Sequence, residues 1–440
     1  MFSRKASTLQ STLVLLLLAA LTNPAFASRT PRRQALERSI NEPSGAAARL
    51  TPNDRQEIFS DTWATINEKY YDPSFNGVNW RAVREQYRPV AEAARTDDDF
   101  YTVMKKMVGE LRDAHTRFAT PRERMEREQL KAITAGVTIS EVEGKSVIVS
   151  VEPGSEAAHE GVQLGMAVLA IDGKPVAEKL AEAQARVAGT STERAVKLRI
   201  YRQLVDGNPG TPLRLTLERA DGSPMDVSLT RHIVSDVAQV TSRRLPAGIG
   251  YIKLTLWKSP AHKEFKRALE NLKDASGIIV DLRGNPGGEA QEVIKIASYF
   301  FNARVSFGQF VSRNGKALTL YTDRDDLIYK GPVMILTNEG SGSGSELFSA
   351  AMQENGRASV VGRQSCGCVL GISRFKKLRG GSELAVSELK YISPQGHKIE
   401  GAGVTPNRAV PLTLTDLQHH RDAALEAAEN ALQKTSVNVR

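Results

Sequence analysis

Val333-Met334-Ile335-Leu336-Thr337-Asn338-Glu339-Gly340-Ser341-Gly342-Ser343-Gly344-Ser345-Glu346 runs from an apolar stretch into a turn of small residues. A short apolar run bounded by turn residues reads as a strand buried on both faces. The apolar segment 347–352 then opens a helix expected over 346–355. Strand, serine-rich turn and helix in that order suggest a nucleophile turn. The hydroxyl is exposed there and the following backbone N–H is free.

The same alternation extends upstream. Residues 251–254 and 277–282 read as strands, and 264–272 and 290–301 as helices. Repeated β-helix-β units predict an α/β layered core with active groups at strand ends. A terminal helix is expected over 414–433. Near the other end, Ile58, Trp63, Ile66 and Tyr70 recur at helical spacing after Thr51. Further helices are expected over 80–94 and 97–111. Between these regions lie short strands around Gly136-Val137-Thr138-Ile139, Ser146-Val147-Ile148-Val149, Ala167-Val168-Leu169-Ala170-Ile171 and Arg214-Leu215-Thr216-Leu217.

A chain of 440 residues exceeds a single core, so two or three domains are expected. It is 41% apolar and 25% charged, with a formal net charge of +9. Basic and acidic residues are mixed along it, without a basic run or interleaved aromatics, which argues against nucleic acid as a partner. Arg4 and Lys5, the apolar run 13–21 and Ala25-Phe26-Ala27 form the three zones of a secretory signal peptide. That run is too short to span a bilayer, and no later stretch is suited to it. The expected location is outside the cytoplasm, most simply the periplasm.

The two cysteines, Cys366 and Cys368, are spaced i, i+2. A bridge so short is expected to be strained, and the pair reads as packing residues. No His/Cys cluster has zinc-site spacing, so neither a metal nor another cofactor is expected.

Pro153-Gly154-Ser155-Glu156-Ala157-Ala158, then Gly161-Val162 and Ile171-Asp172-Gly173-Lys174-Pro175-Val176, resemble a PDZ domain. That resemblance implies a groove for an extended C-terminal peptide. Backbone N–H groups near Thr134, Ala135 and Gly136 would receive its carboxylate. Added to Tyr71-Asp72-Pro73, Asp281-Leu282-Arg283-Gly284-Asn285-Pro286-Gly287-Gly288 and the serine turn, it gives a wider likeness. The chain resembles the C-terminal processing peptidases, or tail-specific proteases, and the related tricorn-type serine proteases.

The resemblance implies an α/β fold: a crotonase-like layered protease core with an inserted PDZ domain and an N-terminal helical domain. The expected organisation is a signal peptide at 1–27, a flexible segment at 28–50, the helical domain at 51–125, the PDZ domain at 130–231, the serine peptidase core at 235–412 and a C-terminal helix and tail at 413–440. The nucleophile position falls on Ser343, and Ser341 and Ser345 shape the turn. Gly344 is expected to supply one oxyanion donor, and Gly287 or Gly288 the other.

One feature departs from the pattern. Lysine-dyad members carry a lysine where this chain has Cys368, 25 residues beyond Ser343. A thiol is a poor replacement for that base. His115, in Leu111-Arg112-Asp113-Ala114-His115-Thr116, matches the place where tricorn-type relatives keep a catalytic histidine. Glu400 matches the place of their orienting glutamate. Those relatives carry a serine just before the histidine, where this chain has Ala114; Asp113 is the candidate substitute. The expected function is an exported serine endopeptidase that captures the free C-termini of protein or peptide substrates and cleaves nearby bonds. The alternatives are a non-catalytic binding protein on the same fold and a cysteine-dependent or redox-gated enzyme.

Overall fold

In the computed structural model of the protein, Val333–Thr337 is a central strand of a six-stranded sheet. The order across it is Val240–Arg244, Gly250–Leu254, Ile278–Asp281, Val333–Thr337, Ala358–Gly362, Arg408–Ala409. The first pair is antiparallel and the rest are parallel. The structure describes residues 49–437 apart from 130, 188, 236 and 326. The expected signal peptide and nearly all of the expected flexible segment lie outside the described residues.

Successive residues of the central strands feed two cores. Ile278, Val280 and Ile335 pack with the helices Ala261–Asn271, Ala290–Ser298 and Gly344–Glu354. Ile279, Leu336 and Val361 pack with Leu425, Ala428 and Leu432 of Ala423–Val437. Burial on both faces is why these strands read as unbroken apolar runs. The expected single terminal helix is two, Leu414–Gln418 and Ala423–Val437. His420 adopts a φ of 52° between them. Asp422 then caps Leu425 N–H and accepts both terminal nitrogens of Arg283.

Pro52–Lys69, Trp80–Glu92 and Asp97–Gly109 form the helical layer. Thr51 and Thr96 start the first and third with reciprocal caps to Asp54 and Asp99. The layer is completed from far along the chain. Arg117–Ala119 pairs with Glu383–Ala385, and Leu378, Leu384 and Val386 join the helical core.

A small β-domain has its own core. Its sheet runs Val137–Val142, Lys145–Val151, Ala167–Ile171, Pro212–Glu218, Pro224–Thr230. The edge strand Val137–Val142 lies beside the helix Glu193–Val205. An antiparallel ribbon, Lys131–Thr134 with His232–Ser235, carries the chain in and out of the domain.

Three loops leave the carboxyl ends of adjacent parallel strands, after Asp281, Thr337 and Gly362. In open α/β sheets that edge is where ligands bind.

Candidate active site

The three serines of the turn have different environments. Ser341 Oγ donates to Leu282 O at 2.8 Å and accepts from Asn338 N at 3.0 Å. Ser345 Oγ donates to Asn285 O at 2.9 Å and accepts Trp257 Nε1–H at 2.9 Å. Both are fully buried. Ser343 is half-buried; its hydroxyl donates to no group among the described residues, and its oxygen faces Glu346 N–H in a capping box. Its backbone has φ 49° and ψ −111° at the start of the helix Gly344–Glu354. A non-glycine residue held in such a conformation is strained, and the neighbouring contacts must hold it there.

The glycine loop abuts this turn. A Cβ on Gly287 would lie 2.5 Å from Ser343 Cβ and 2.7 Å from Gly344 N. A Cβ on Gly288 would lie 2.1 Å from the Trp257 carbonyl oxygen. Both have φ above +100°, so only glycine fits. Their N–H groups differ. Gly287 N–H donates to Asn285 Oδ1 at 2.9 Å and is thus committed within the loop. Gly288 N–H and Gly344 N–H have no partner among the described residues.

Glu346 ties the turn together. Its buried carboxylate accepts from Ser343 N at 3.0 Å, Cys368 N at 2.8 Å, Gly367 N at 2.6 Å and Ser365 Oγ at 2.6 Å. Burial pushes its pKa up, while these donors pull it down. Glu346→Gln turns one oxygen into an NH₂ group facing N–H donors. A loss of about 2–4 kcal/mol in stability is expected by chemical denaturation. An unchanged midpoint would show that the carboxylate is not holding the turn.

Cys366 and Cys368 are joined in a disulfide, which corrects their reading as two packing thiols. Gly367, at φ 75°, turns the chain so that the two Cα atoms stand 5.3 Å apart, a normal disulfide span. Cys368 therefore offers no thiol as base or nucleophile. Its carbonyl accepts Ser343 N–H at 2.8 Å, and Ser341 O accepts Cys366 N–H at 3.0 Å. The bridged loop is thus a wall of the serine turn. Lys376 Nζ donates to Thr65 Oγ1 instead of reaching this turn.

Asp113 Oδ1 accepts from His115 N, Thr116 N and Ser387 Oγ, at 2.8, 2.6 and 2.8 Å. It shapes the backbone beneath His115, and its other oxygen is buried without a hydrogen bond. His115 Nδ1 is likewise enclosed and unpartnered, although the residue keeps some exposed surface. Burial lowers the imidazole pKa to about 4, assisted by Arg117 and Arg199 and opposed by Asp113. No hydrogen bond joins His115 to Ser343 or to Glu400 among the described residues. Glu400 Oε2 instead accepts Val369 N–H at 2.6 Å. Burial raises its pKa to about 7; Asp113 and Glu346 add to the rise, while Ser191 and Val369 N–H oppose it.

At the candidate carboxylate loop, Gly136 N–H is taken by Thr134 Oγ1 at 3.0 Å, and that hydroxyl donates to Glu152 at 2.9 Å. Ala135 is buried in the small domain's core.

Sequence reasoning missed several residues that support the site. Asn285 and Trp257 fix the glycine and serine loops. Thr192 Oγ1 donates to Cys366 O at 2.7 Å, and Arg194 donates to Ser365 O at 3.0 Å and Ala402 O at 2.8 Å. Asn285 lies inside a quoted motif and could have been found. Arg194 carries no local signal, since its partners lie at least 171 residues away, and Thr192 reads locally only as the cap of the helix Glu193–Val205.

The sequence model of Peptidase family S41 matches residues 248–410, and that of the Tricorn protease C1 domain matches 51–109. A carboxyl-terminal-processing protease of Synechocystis sp. is 30% identical over 406 residues, covering 89% of each chain. Two solved structures share the fold. A photosystem II D1 C-terminal processing protease matches with TM-score 0.58 and 23% identity, over 82% of this chain and 94% of that one. Mature CPAF matches with TM-score 0.65 and 14% identity, over 88% and 96%.

Proposed function

Because the chain belongs to the carboxyl-terminal-processing proteases of peptidase family S41, and is thus a serine-type peptidase, we propose that Ser343 is its nucleophile. His115 is the general base, and Gly344 N–H with Gly288 N–H forms the oxyanion hole. The observation that carries this is the contrast among the three serines. Of the three, the Ser343 hydroxyl alone gives its proton to no acceptor among the described residues, in a strained turn beside two uncommitted N–H donors.

The chemistry follows from those groups. Ser343 Oγ attacks the scissile carbonyl carbon as His115 takes its proton. The negative charge on the former carbonyl oxygen falls between the two N–H donors. Collapse releases the amine, which takes the proton from His115, and water then hydrolyses the acyl-enzyme by the same route. His115 and Ser343 are not hydrogen-bonded in the structure. Substrate binding must therefore close that gap.

The small domain is a PDZ domain inserted in a crotonase-like core. It captures the substrate C-terminus along the free edge of Val137–Val142, against the helix Glu193–Val205. With Gly136 N–H occupied, the carboxylate must find other N–H groups of that loop. The protein acts after export, most simply in the periplasm.

A fluorophosphonate probe tests the reading: it should label the wild type but not Ser343→Ala. Absence of wild-type labelling between about pH 5 and 9, well above the lowered pKa of His115, would sink it.

The pH profile should follow Glu400. His115 is already neutral above about pH 4. The carboxylate needed to support it forms only near pH 7. We expect kcat/KM to climb about tenfold per pH unit below that value and then level off. Glu400→Gln should abolish that limb. A limb that persists near pH 7 in the variant would assign it to another group.

A further inference from the structure

The chain has two cysteines, and both lie in the bridged loop beside Ser343. A bridge across one residue constrains little of the unfolded chain, so it adds little to overall stability. Its local reach is larger. Cys366 N–H donates to Ser341 O at 3.0 Å, and Cys368 O accepts Ser343 N–H at 2.8 Å. Between those contacts, Gly367 N–H and Cys368 N–H both donate to the Glu346 carboxylate. The loop is also packed from the direction of the small domain and the 401–403 turn. A Cβ on Gly367 would stand 2.7 Å from Thr192 Cγ2 and 3.2 Å from backbone atoms of Gly401 and Gly403. Gly367 O accepts Gly401 N–H at 2.9 Å, and Cys366 O accepts the Thr192 hydroxyl at 2.7 Å. Toward the serine turn, a Cβ on Gly342 would lie 3.6 Å from Cys366 Cβ. Cys366 keeps exposed surface, whereas Cys368 is only 5% exposed.

We propose that the Cys366–Cys368 bridge is a redox modification site of the peptidase: closed, it holds the serine turn in its working geometry, and a dithiol reductant that opens it lowers turnover. The proposal rests on the reading of Ser343 as nucleophile. A dithiol alone balances the exchange. One of its thiolates attacks Cys366 Sγ, the sulfur of the more exposed residue, and forms a mixed disulfide. The Cys366–Cys368 bond breaks, and Cys368 leaves as a thiolate that takes up a proton. The second thiol of the reductant, losing its proton, attacks the mixed disulfide and releases Cys366 as a thiol. The protein gains two electrons and two protons, and the reductant departs as a disulfide. Two unbonded sulfurs cannot stay at covalent distance, so the opened loop must widen. Thr192 and the 401–403 turn are already packed against Gly367. The widening therefore passes to Ser341 and Ser343 through the two backbone hydrogen bonds. A displacement of about 1 Å at a reacting group costs about a hundredfold in rate.

The test follows peptide turnover by the full chain before and after dithiothreitol, with iodoacetamide trapping and mass spectrometry to count free thiols. There are no other cysteines, so a thiol gained can come only from this pair. Reduction should lower kcat/KM about ten- to a hundredfold and slow fluorophosphonate labelling in proportion. The thermal unfolding midpoint should stay nearly unchanged. Reoxidation with oxidised glutathione should restore turnover and labelling together. Cys366→Ser combined with Cys368→Ser should match the reduced enzyme and ignore dithiothreitol; the reversible wild-type experiment suffices if that variant fails to fold. Reduced thioredoxin at the same thiol concentration distinguishes the source. Opening by it assigns a protein dithiol, and opening by dithiothreitol alone assigns a small one. A bridge that stays closed in dithiothreitol, or opens with turnover unchanged or raised, would overturn the proposal. So would a loss of turnover that comes only with unfolding. The two readings fail separately. Turnover that persists in Ser343→Ala removes the nucleophile, whereas an oxidised enzyme labelled at Ser343 and indifferent to reduction loses only the redox role.

Discussion

Ser343→Ala should lower kcat by about 10⁴–10⁶-fold while leaving the protein as stable as the wild type. The two halves of that result come from different parts of the structure. The Ser343 hydroxyl donates no hydrogen bond among the described residues, so its removal gives up only the capping contact with Glu346 N–H, whose backbone partner Ser343 O stays in place. Alanine meets the same backbone strain at φ 49° as serine does. The expected change in unfolding free energy is within about 0.5 kcal/mol. Ser341→Ala and Ser345→Ala should behave in the opposite way. Each removes a buried hydroxyl that serves two partners, at a cost of about 1–3 kcal/mol. Their kinetic losses should be smaller than that of Ser343→Ala and follow displacement of the turn. Peptide turnover and urea denaturation of the three variants decide the matter. Turnover by Ser343→Ala within about tenfold of wild type would rule it out as the nucleophile.

Gly287→Ala and Gly288→Ala should each lower kcat by about 10²–10³-fold, for related reasons. At Gly287 the new methyl would press on Ser343 Cβ and Gly344 N, so the proposed nucleophile and the proposed oxyanion donor beside it would both be displaced. At Gly288 it would meet the Trp257 carbonyl, whose oxygen also accepts Glu289 N–H. The obstacles at both positions include backbone atoms, which cannot move aside as a flexible side chain can. Both variants should therefore also lose stability. Gly284→Ala is the control. Gly284 has a positive φ of 74°, but a Cβ there meets nothing within 4 Å. It should cost about 1 kcal/mol of backbone strain with activity nearly intact. If all three variants turned over alike, the close approach of the two loops would not be what organises the site.

The central sheet was legible in the sequence because Ile278, Ile279, Val280 and the run from Val333 are apolar without interruption. Only strands covered on both faces require that. The edge strand Val240–Arg244 was missed, since four of its residues, Thr241, Ser242, Arg243 and Arg244, are polar and exposed. The serine turn was also legible as a motif. What separates its three hydroxyls was not, because the partners that occupy Ser341 and Ser345 come from Trp257, Leu282 and Asn285, which only the fold brings near. The same holds for the glycines: what distinguishes the N–H of Gly287 from that of Gly288 is the side chain of Asn285, which accepts the former. Local spacing misled at the cysteines. A bridge across one residue looked unfavourable, but the turn at Gly367 brings the sulfurs together. No local pattern announces the pairing of His262, whose Nδ1 lies 2.9 Å from the buried carboxylate of Glu292, 30 residues away.

The paired strands Lys131–Thr134 and His232–Ser235 bring the two ends of the small domain side by side. In evolutionary terms such a segment is a cassette, able to enter or leave a gene without breaking the surrounding fold. This one has lost that freedom. Thr192, Arg194 and Arg199 act as splints on loops of the host, so a transplanted cassette would fit only a host with matching loops. The two parts of the gene must therefore diverge together, and a chimera that joins them from distant relatives should fold as two sound pieces with a slack catalytic seam.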